Sequence, residues 1–322
     1  METKLLLENL SNPALLFFFL GILAVSVKSD LSIPKNSSKF ISLYLLLSIG
    51  FKGGQELAHS HFTSEIAWAL IAGIVTATII PVYLFFLLKR KIDVNNAGAI
   101  AASYGSVSAV TFVTCVSFLE MQNKSFDGYL VAVMALMEAP SIIVSFWLIS
   151  KFNSEEEKQI KTSKNIVHAL TNGSVLLIIG SLVIGLLASD AQAQGIKPFT
   201  TDLFKGFLAV FLLDMGITCG KRLSDLKKNG VFFFLLAMII PLVNGSIMSC
   251  VSGLFISSEG NRLLISVLAA SASYIAVPAA LRISVPKANP SIYIPMALGN
   301  TFPINITIGF PIYETIIQHC NF

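Results

Sequence analysis

Two stretches of the 322-residue chain carry residue types suited to holding a small ion. They are Ala99-Ile100-Ala101-Ala102-Ser103-Tyr104-Gly105-Ser106-Val107-Ser108 and Val267-Leu268-Ala269-Ala270-Ser271-Ala272-Ser273-Tyr274-Ile275-Ala276. Each lies inside an apolar segment long enough to cross a bilayer, yet each is built from small and hydroxylated residues. Such runs make poor lipid-facing surface but let backbones approach closely. Gly105 in the first and Pro278 just after the second predict an interrupted helix, since proline removes a donor and clashes with the preceding turn. An interruption leaves N–H groups unpaired, and the new helix N-terminus carries a positive partial charge that suits an anion. Carbonyl ends and hydroxyl oxygens nearby suit a hard cation such as sodium. Neither stretch contains lysine or arginine, so a cation bound alongside would supply the countercharge. The two stretches are expected to form one site.

Charges inside apolar segments cost roughly 2.5–3.5 kcal/mol each on insertion, so each needs a reason. Glu138, two residues before Pro140, is expected to help bind a coupling cation. Asp214 is expected to pair with a lysine such as Lys52; Lys205 is the other intramembrane base. His59 and His61, with Glu56 and Glu65 nearby, read as a solvated loop rather than a metal site. The four cysteines (Cys115, Cys219, Cys250, Cys320) are widely spaced with no C-x-x-C, which indicates neither a zinc site nor a disulfide framework. There is no G-x-S-x-G, H-E-x-x-H or P-loop, so neither an enzyme nor an ATP-driven pump is expected, and no cofactor.

The elements that must position these residues follow from composition. The chain is 54% hydrophobic and 12% charged, where soluble domains carry about 25% charged residues. Scattered basic residues without interleaved aromatics exclude nucleic acid as a partner. Ten apolar runs, about 13–28, 39–57, 65–88, 95–119, 128–150, 166–188, 200–219, 230–256, 262–284 and 291–317, predict an all-α polytopic membrane protein. The first run has the length of a signal-peptide core, but a matching segment recurs deep in the chain, so it is expected to be retained.

The polar connection 151–165 divides the runs into a first block, 1–150, and a second, 166–322. The blocks echo each other in order. Asn12 answers Asn172, and Leu47–Leu57 answers Leu213–Leu223 with two shared glycines and two shared leucines. The serine stretches answer each other, and Met134-Ala135-Leu136 with Pro140 answers Met296-Ala297-Leu298 with Pro303. Five spans per block would set the second copy upside down, the inverted repeat of secondary transporters, with the fourth and ninth helices broken at the midplane. If the N-terminus lies outside, the inner connections hold 16 basic residues: 28, 35, 39, 89–91, 151, 158, 161, 164, 221, 222, 227, 228, 282 and 287. The outer ones hold four, Lys4, Lys124, Lys197 and Arg262. This positive-inside bias predicts both termini outside and the 151–165 loop in the cytoplasm.

At the ninth run the wording becomes specific. Ala270-Ser271-Ala272-Ser273, Pro278, Leu281-Arg282, Pro286, Ala288-Asn289-Pro290-Ser291 and Tyr293 resemble the sodium-dependent bicarbonate transporter family found in cyanobacteria. The likeness extends to Ile49-Gly50 with Gly53-Gly54, Gly105-Ser106-Val107-Ser108 with Leu119-Glu120, Glu138 with Pro140, and to Pro303 and Pro311. It implies ten transmembrane helices as a 5+5 inverted repeat with broken helices 4 and 9 crossing, a homotrimer in the plasma (inner) membrane, and sodium-coupled bicarbonate uptake. Carried over residue by residue, it implies an anion site at Ser103, Gly105, Ser106, Ser271 and Ser273, and sodium at Ser108, Thr111 and Glu138. The chain departs from the family at Tyr274, where an aspartate is usual, and at Ala272, which thins the serine run. The resemblance also implies regulation by a PII-like protein, known in the family, although the 151–165 connection is shorter than in that family.

Electrical physics agrees with sodium coupling. A negative interior opposes an entering anion by about 2.3 kcal/mol per charge per 100 mV, and one sodium per bicarbonate cancels that opposition. A cation-coupled symporter of another small anion or carboxylate, and a passive anion channel, are the alternatives.

Overall fold

The computed structural model describes residues 13–59, 63–153, 173–228 and 230–320. Asn12, His61, Asn172 and most of the 151–165 connection lie outside the described residues. The regular structure of the described residues is all helical, without strands. Helix α1 is Pro13–Ser26, α2 Lys35–His59, α3 Ser64–Leu88, α4 Val94–Gly105, α5 Ala109–Met121, α6 Tyr129–Phe152 and α7 Gly173–Leu187. Then come α8 Asp190–Lys197, α9 Phe204–Lys228, α10 Val231–Val251, α11 Glu259–Ala270, α12 Ala276–Ser284, α13 Pro290–Met296, α14 Phe302–Ile304 and α15 Phe310–His319.

Five helical stretches among the described residues are long and apolar enough to cross a membrane: Ser64–Leu88, Val94–Met121, Tyr129–Phe152, Asp190–Lys221 and Val231–Leu254. Helix α3 exposes Trp68, Ile71, Val75 and Ile79, and α10 exposes Leu235, Ile239, Val243 and Ile247, each at about one-turn spacing. Bare to water, such stripes would drive association; hydrocarbon satisfies them. The protein is a multi-pass membrane protein, and its exposed apolar helix faces suit a hydrocarbon surrounding. By contrast, α4 and α5 are almost wholly enclosed.

Close backbone crossings hold the bundle, and they come in matching pairs. Helix α1 packs along α9, and α7 along α2. A Cβ at Gly216 would overlap the Phe18 carbonyl and the Gly21 backbone, while a Cβ at Gly50 would overlap the Ile178 carbonyl and Ser181. Helix α3 packs on α4 and α6; α10 packs on α11 and α15.

Three elements differ from expectation. The connection after α7 is helical: Ser189 and Gln192 form a capping box that starts α8, an S-x-x-Q signature visible in the sequence. Helix α9 continues to Lys228, past the expected end at 219. The last span is not one regular helix. Wide turns at Ala297–Thr301 and Asn305–Gly309 separate α13, α14 and α15. Pro303 and Pro311 explain them, because each lacks the N–H that would close the preceding turn and its ring crowds the carbonyl four residues back.

Polar side chains tie the helix ends together at two levels. At one, Asn289 N–H donates to Asn96 Oδ1 at 2.7 Å and Asn153 Nδ2 to Asn95 Oδ1 at 3.2 Å. At the other, Lys124 Nζ bridges Glu314 (2.6 Å) and Glu259 (3.0 Å), and Asn261 Nδ2 donates to Asp127. Burial opposes the charge on Lys124, but its bonds to Glu314 and Glu259 outweigh that and raise its pKa. At this second level His59 joins α2 to α8: Nδ1 meets the Gln55 carbonyl at 2.7 Å and Nε2 meets Asp190 at 3.0 Å. The Gln55 carbonyl first, then Asp190, raise the His59 pKa. The contact is therefore complete below the ordinary histidine pKa and is lost as pH rises through the raised one. Asp190→Asn is expected to lower the His59 titration midpoint followed by imidazole NMR; an unmoved midpoint would count against the pairing.

Candidate functional site

The two serine stretches are where helices stop and restart. Helix α4 ends at Gly105, residues 106–108 are extended (Ser106 φ −86°, ψ 172°; Ser108 φ −109°, ψ 107°), and α5 begins at Ala109. Helix α11 ends at Ala270, Ser271 is extended (φ −83°, ψ 167°), and α12 begins at Ala276. The interruptions lie against one another. Ser273 N–H donates to the Ser103 carbonyl at 2.7 Å, and Ser103 Oγ returns a bond to the Ser273 carbonyl at 2.9 Å. Ser108 N–H donates to Ser271 Oγ at 3.0 Å, and Ser271 Oγ donates to the Leu268 carbonyl at 2.9 Å.

Carbonyls exposed by stopping a helix must find donors. The Ala102 carbonyl accepts from Ser106 N–H (3.1 Å) and from Ser141 Oγ of α6 (2.9 Å). The Ala270 carbonyl accepts from Asn305 Nδ2 (2.9 Å), and Tyr313 donates to Asn305 Oδ1 at 2.9 Å. A neighbouring segment, α6 for the first and the wide turn before α15 for the second, thus seals each upstream end with a polar side chain.

The downstream ends open onto a cavity of about 620 Å³, counting the space at its mouth. Its walls are Ser42 and Leu45 of α2, Val107–Val110, Met134, Ala135 and Glu138 of α6, Ile178 of α7, Phe211 of α9, and Ser273–Ala276. The first turns of α5 and α12 both face it. Ser108 Oγ accepts from Thr111 N–H (3.1 Å) and Ser273 Oγ from Val277 N–H (3.3 Å). Neither Ala109, Val110 nor Ala276 has an intrahelical acceptor for its N–H. Glu138 is the one charged side chain in the lining. Its Oε2 is buried and without a hydrogen-bond partner among the described residues, as are the hydroxyls of Tyr274 and Ser106. Two partially positive helix ends and one carboxylate around a single space can hold an anion beside a cation.

Of the residues expected here, Ser108, Ser273 and Glu138 line the cavity. Ser103 and Ser271 use their hydroxyls to join the two interruptions. Gly105 sits against Pro81 of α3 and Ser141. Thr111 is buried in the first turn of α5. Asp214 stands apart from the site and does not pair with Lys52: its carboxylate accepts from Ser38 Oγ and feels the charge of Lys221. Lys52 and Lys205 instead flank Glu120, at 3.4 and 3.5 Å. Sequence reasoning missed Ser141 and Asn305, whose roles depend on which helix lies beside each break. Tyr274 it noted only as a departure, though the residue lines the cavity and its hydroxyl is buried.

Ser271→Ala removes the acceptor for the Ser108 N–H while keeping the backbone. An unsatisfied buried donor costs about 1–3 kcal/mol. The expected result is a lower thermal unfolding midpoint in detergent; an unchanged midpoint would show that another group takes up the N–H.

A comparison with protein families matches residues 13–318 to the Na+-dependent bicarbonate transporter superfamily. No curated protein matches the chain significantly. The family match covers nearly the whole chain, and the protein belongs to that superfamily.

Proposed function

We propose that this protein is a secondary transporter that carries bicarbonate into the cell together with sodium. The observation that carries the reading is the convergence of the first turns of α5 and α12 with Glu138 on one cavity. Two helix ends of roughly half a positive charge each offset one monovalent anion, and Glu138 offsets one sodium. Direct contact falls to Ser108, Ser273 and Glu138, with the buried hydroxyl of Ser106 and the first turn at Thr111 completing the set. Ser103, Ser271 and Gly105 hold the backbone on which the site depends.

The reading includes ten spans in an inverted 5+5 repeat within the plasma (inner) membrane. The matched crossings support it, since Ile178 and Ser181 stand to Gly50 as Phe18 and Gly21 stand to Gly216. Crowding of basic residues at the helix-end level of Lys89–Lys91 and Lys287 supports placing that level in the cytoplasm. The homotrimer and a PII-like partner rest on the family resemblance alone.

Sodium-dependent, saturable uptake of labelled bicarbonate into proteoliposomes is the test. Saturation that requires sodium is the expected result. Uptake indifferent to sodium would indicate a passive anion channel. Absence of bicarbonate uptake would indicate another small anion or carboxylate, the reading that the buried Tyr274 hydroxyl in the cavity wall favours.

A further inference from the structure

We propose that Cys250 and Cys320 form a disulfide on the extracytoplasmic face, joining the end of α10 to the end of α15. The proposal takes only the membrane sidedness from the preceding reading and is independent of what is transported. The two residues are 70 positions apart, yet their Sγ atoms lie 3.1 Å from each other. Both are half-buried, whereas Cys115 and Cys219 are fully buried.

A second feature holds the pair in place. Arg262 Nη2 donates to the carbonyl of Ser249, the residue before Cys250, at 3.1 Å, and to the carbonyl of Cys320 itself at 2.9 Å. One guanidinium nitrogen thereby fixes the backbones of both cysteines to the same point. Arg262 itself is 3% exposed, so this is a built-in strut rather than a surface contact.

Location decides the chemistry. Counting inward from an outside N-terminus, α10 finishes on the outer side and so does α15. Disulfides form and persist in that compartment and are reduced in the cytosol. The oxidant is the disulfide of an extracytoplasmic thiol oxidoreductase. One cysteine loses its proton to solvent, and its thiolate attacks that disulfide, breaking the S–S bond, forming a mixed disulfide and freeing the oxidoreductase's second sulfur as a thiolate. The second cysteine, also deprotonated, then attacks the mixed disulfide at the transporter sulfur. The Cys250–Cys320 bond forms, the oxidoreductase leaves with both sulfurs reduced and takes up two protons from solvent as its dithiol, and two electrons have passed from the cysteines to it.

The experiment counts free thiols in the full chain. Cells are quenched in acid, the protein is denatured in dodecyl sulfate, and free thiols are tagged with a polymer-bearing maleimide. Of the four cysteines, two are expected to be tagged without reductant and all four after reduction. Four tags without reductant would overturn the proposal. Cys250→Ser should give three tags without reductant; two would mean Cys320 pairs elsewhere and would also overturn it. A membrane-impermeant phosphine applied to intact cells should convert two tags to four. Conversion only by a permeant reductant would place the bond on the other side and refute its location. None of these counts depends on bicarbonate movement, so a failed transport assay and a failed disulfide are separately readable.

Discussion

Gly105→Ala is expected to cut sodium-dependent bicarbonate uptake at least about tenfold while the protein still inserts and purifies. A Cβ at this position would overlap the Pro81 ring at Cγ and Cδ and approach Ser141 Oγ at 2.6 Å. The proline ring is rigid and belongs to a buried turn of α3, so it has no flexible end to swing away. Ser141 Oγ is the donor that seals the Ala102 carbonyl, and pushing it aside unseals the upstream end of the break. Overpacking of this kind costs about 1–3 kcal/mol, and here the strain falls on residues 106–108, whose extended backbone aims the first turn of α5 into the cavity. Stability is expected to fall modestly and transport steeply. Gly180→Ala in α7 is the matched control: an added methyl there meets nothing within 4 Å, and uptake should hold. Equal uptake by the two variants would show that the close approach at Gly105 does not serve the site.

Much of this arrangement could be read from residue types. The serine and glycine runs pointed to both interruptions, because Gly105 and Pro278 weaken helical continuity and the two runs answer each other across the blocks. Glu138 announced itself as a charge that needed a reason. What stayed hidden depends on three-dimensional neighbours. Ser141 and Asn305 look like ordinary polar residues until α6 and the segment before α15 are laid beside the ends of α4 and α11. Asp214 and Lys52 sit in aligned segments of plausible depth, yet Lys52 finds Glu120 on α5, and Asp214 finds Ser38. Pairing across helices depends on rotation about each helix axis, which apolar length does not encode. The thiol pair escaped for the same reason, since 70 residues of chain separate two cysteines that only the packing of α10 against α15 brings together. Missed signals of the other kind were local. The capping box at Ser189 and the prolines at 303 and 311 were legible, and they set the start of α8 and the irregular last span.

Glu138→Gln is expected to raise the sodium concentration for half-maximal uptake by about 10- to 100-fold, the equivalent of about 1.5–3 kcal/mol for one interaction with a charged group. Glutamine preserves the shape of the side chain and one oxygen acceptor, so the cavity wall between Met134, Ala135 and the start of α5 stays as it is. What changes is charge. With the carboxylate present, the space holds two partially positive helix ends against one negative group, and an anion and a sodium together leave it close to neutral. Without it, sodium must be held against both helix ends by hydroxyls, carbonyls and the anion alone. The effect should therefore separate by ion. At saturating sodium, the half-saturating bicarbonate concentration should stay within about threefold of the parent value, a shift below the strength of one such interaction. Glu138→Asp keeps the charge but withdraws it by one methylene, and should fall between the two. The measurement is a sodium titration of labelled bicarbonate uptake in proteoliposomes, run in parallel for the three proteins at matched density. A sodium curve unchanged by Glu138→Gln would remove Glu138 from the cation site. Loss of bicarbonate affinity with sodium affinity intact would instead make the side chain a positioner of the anion, with the cation held elsewhere.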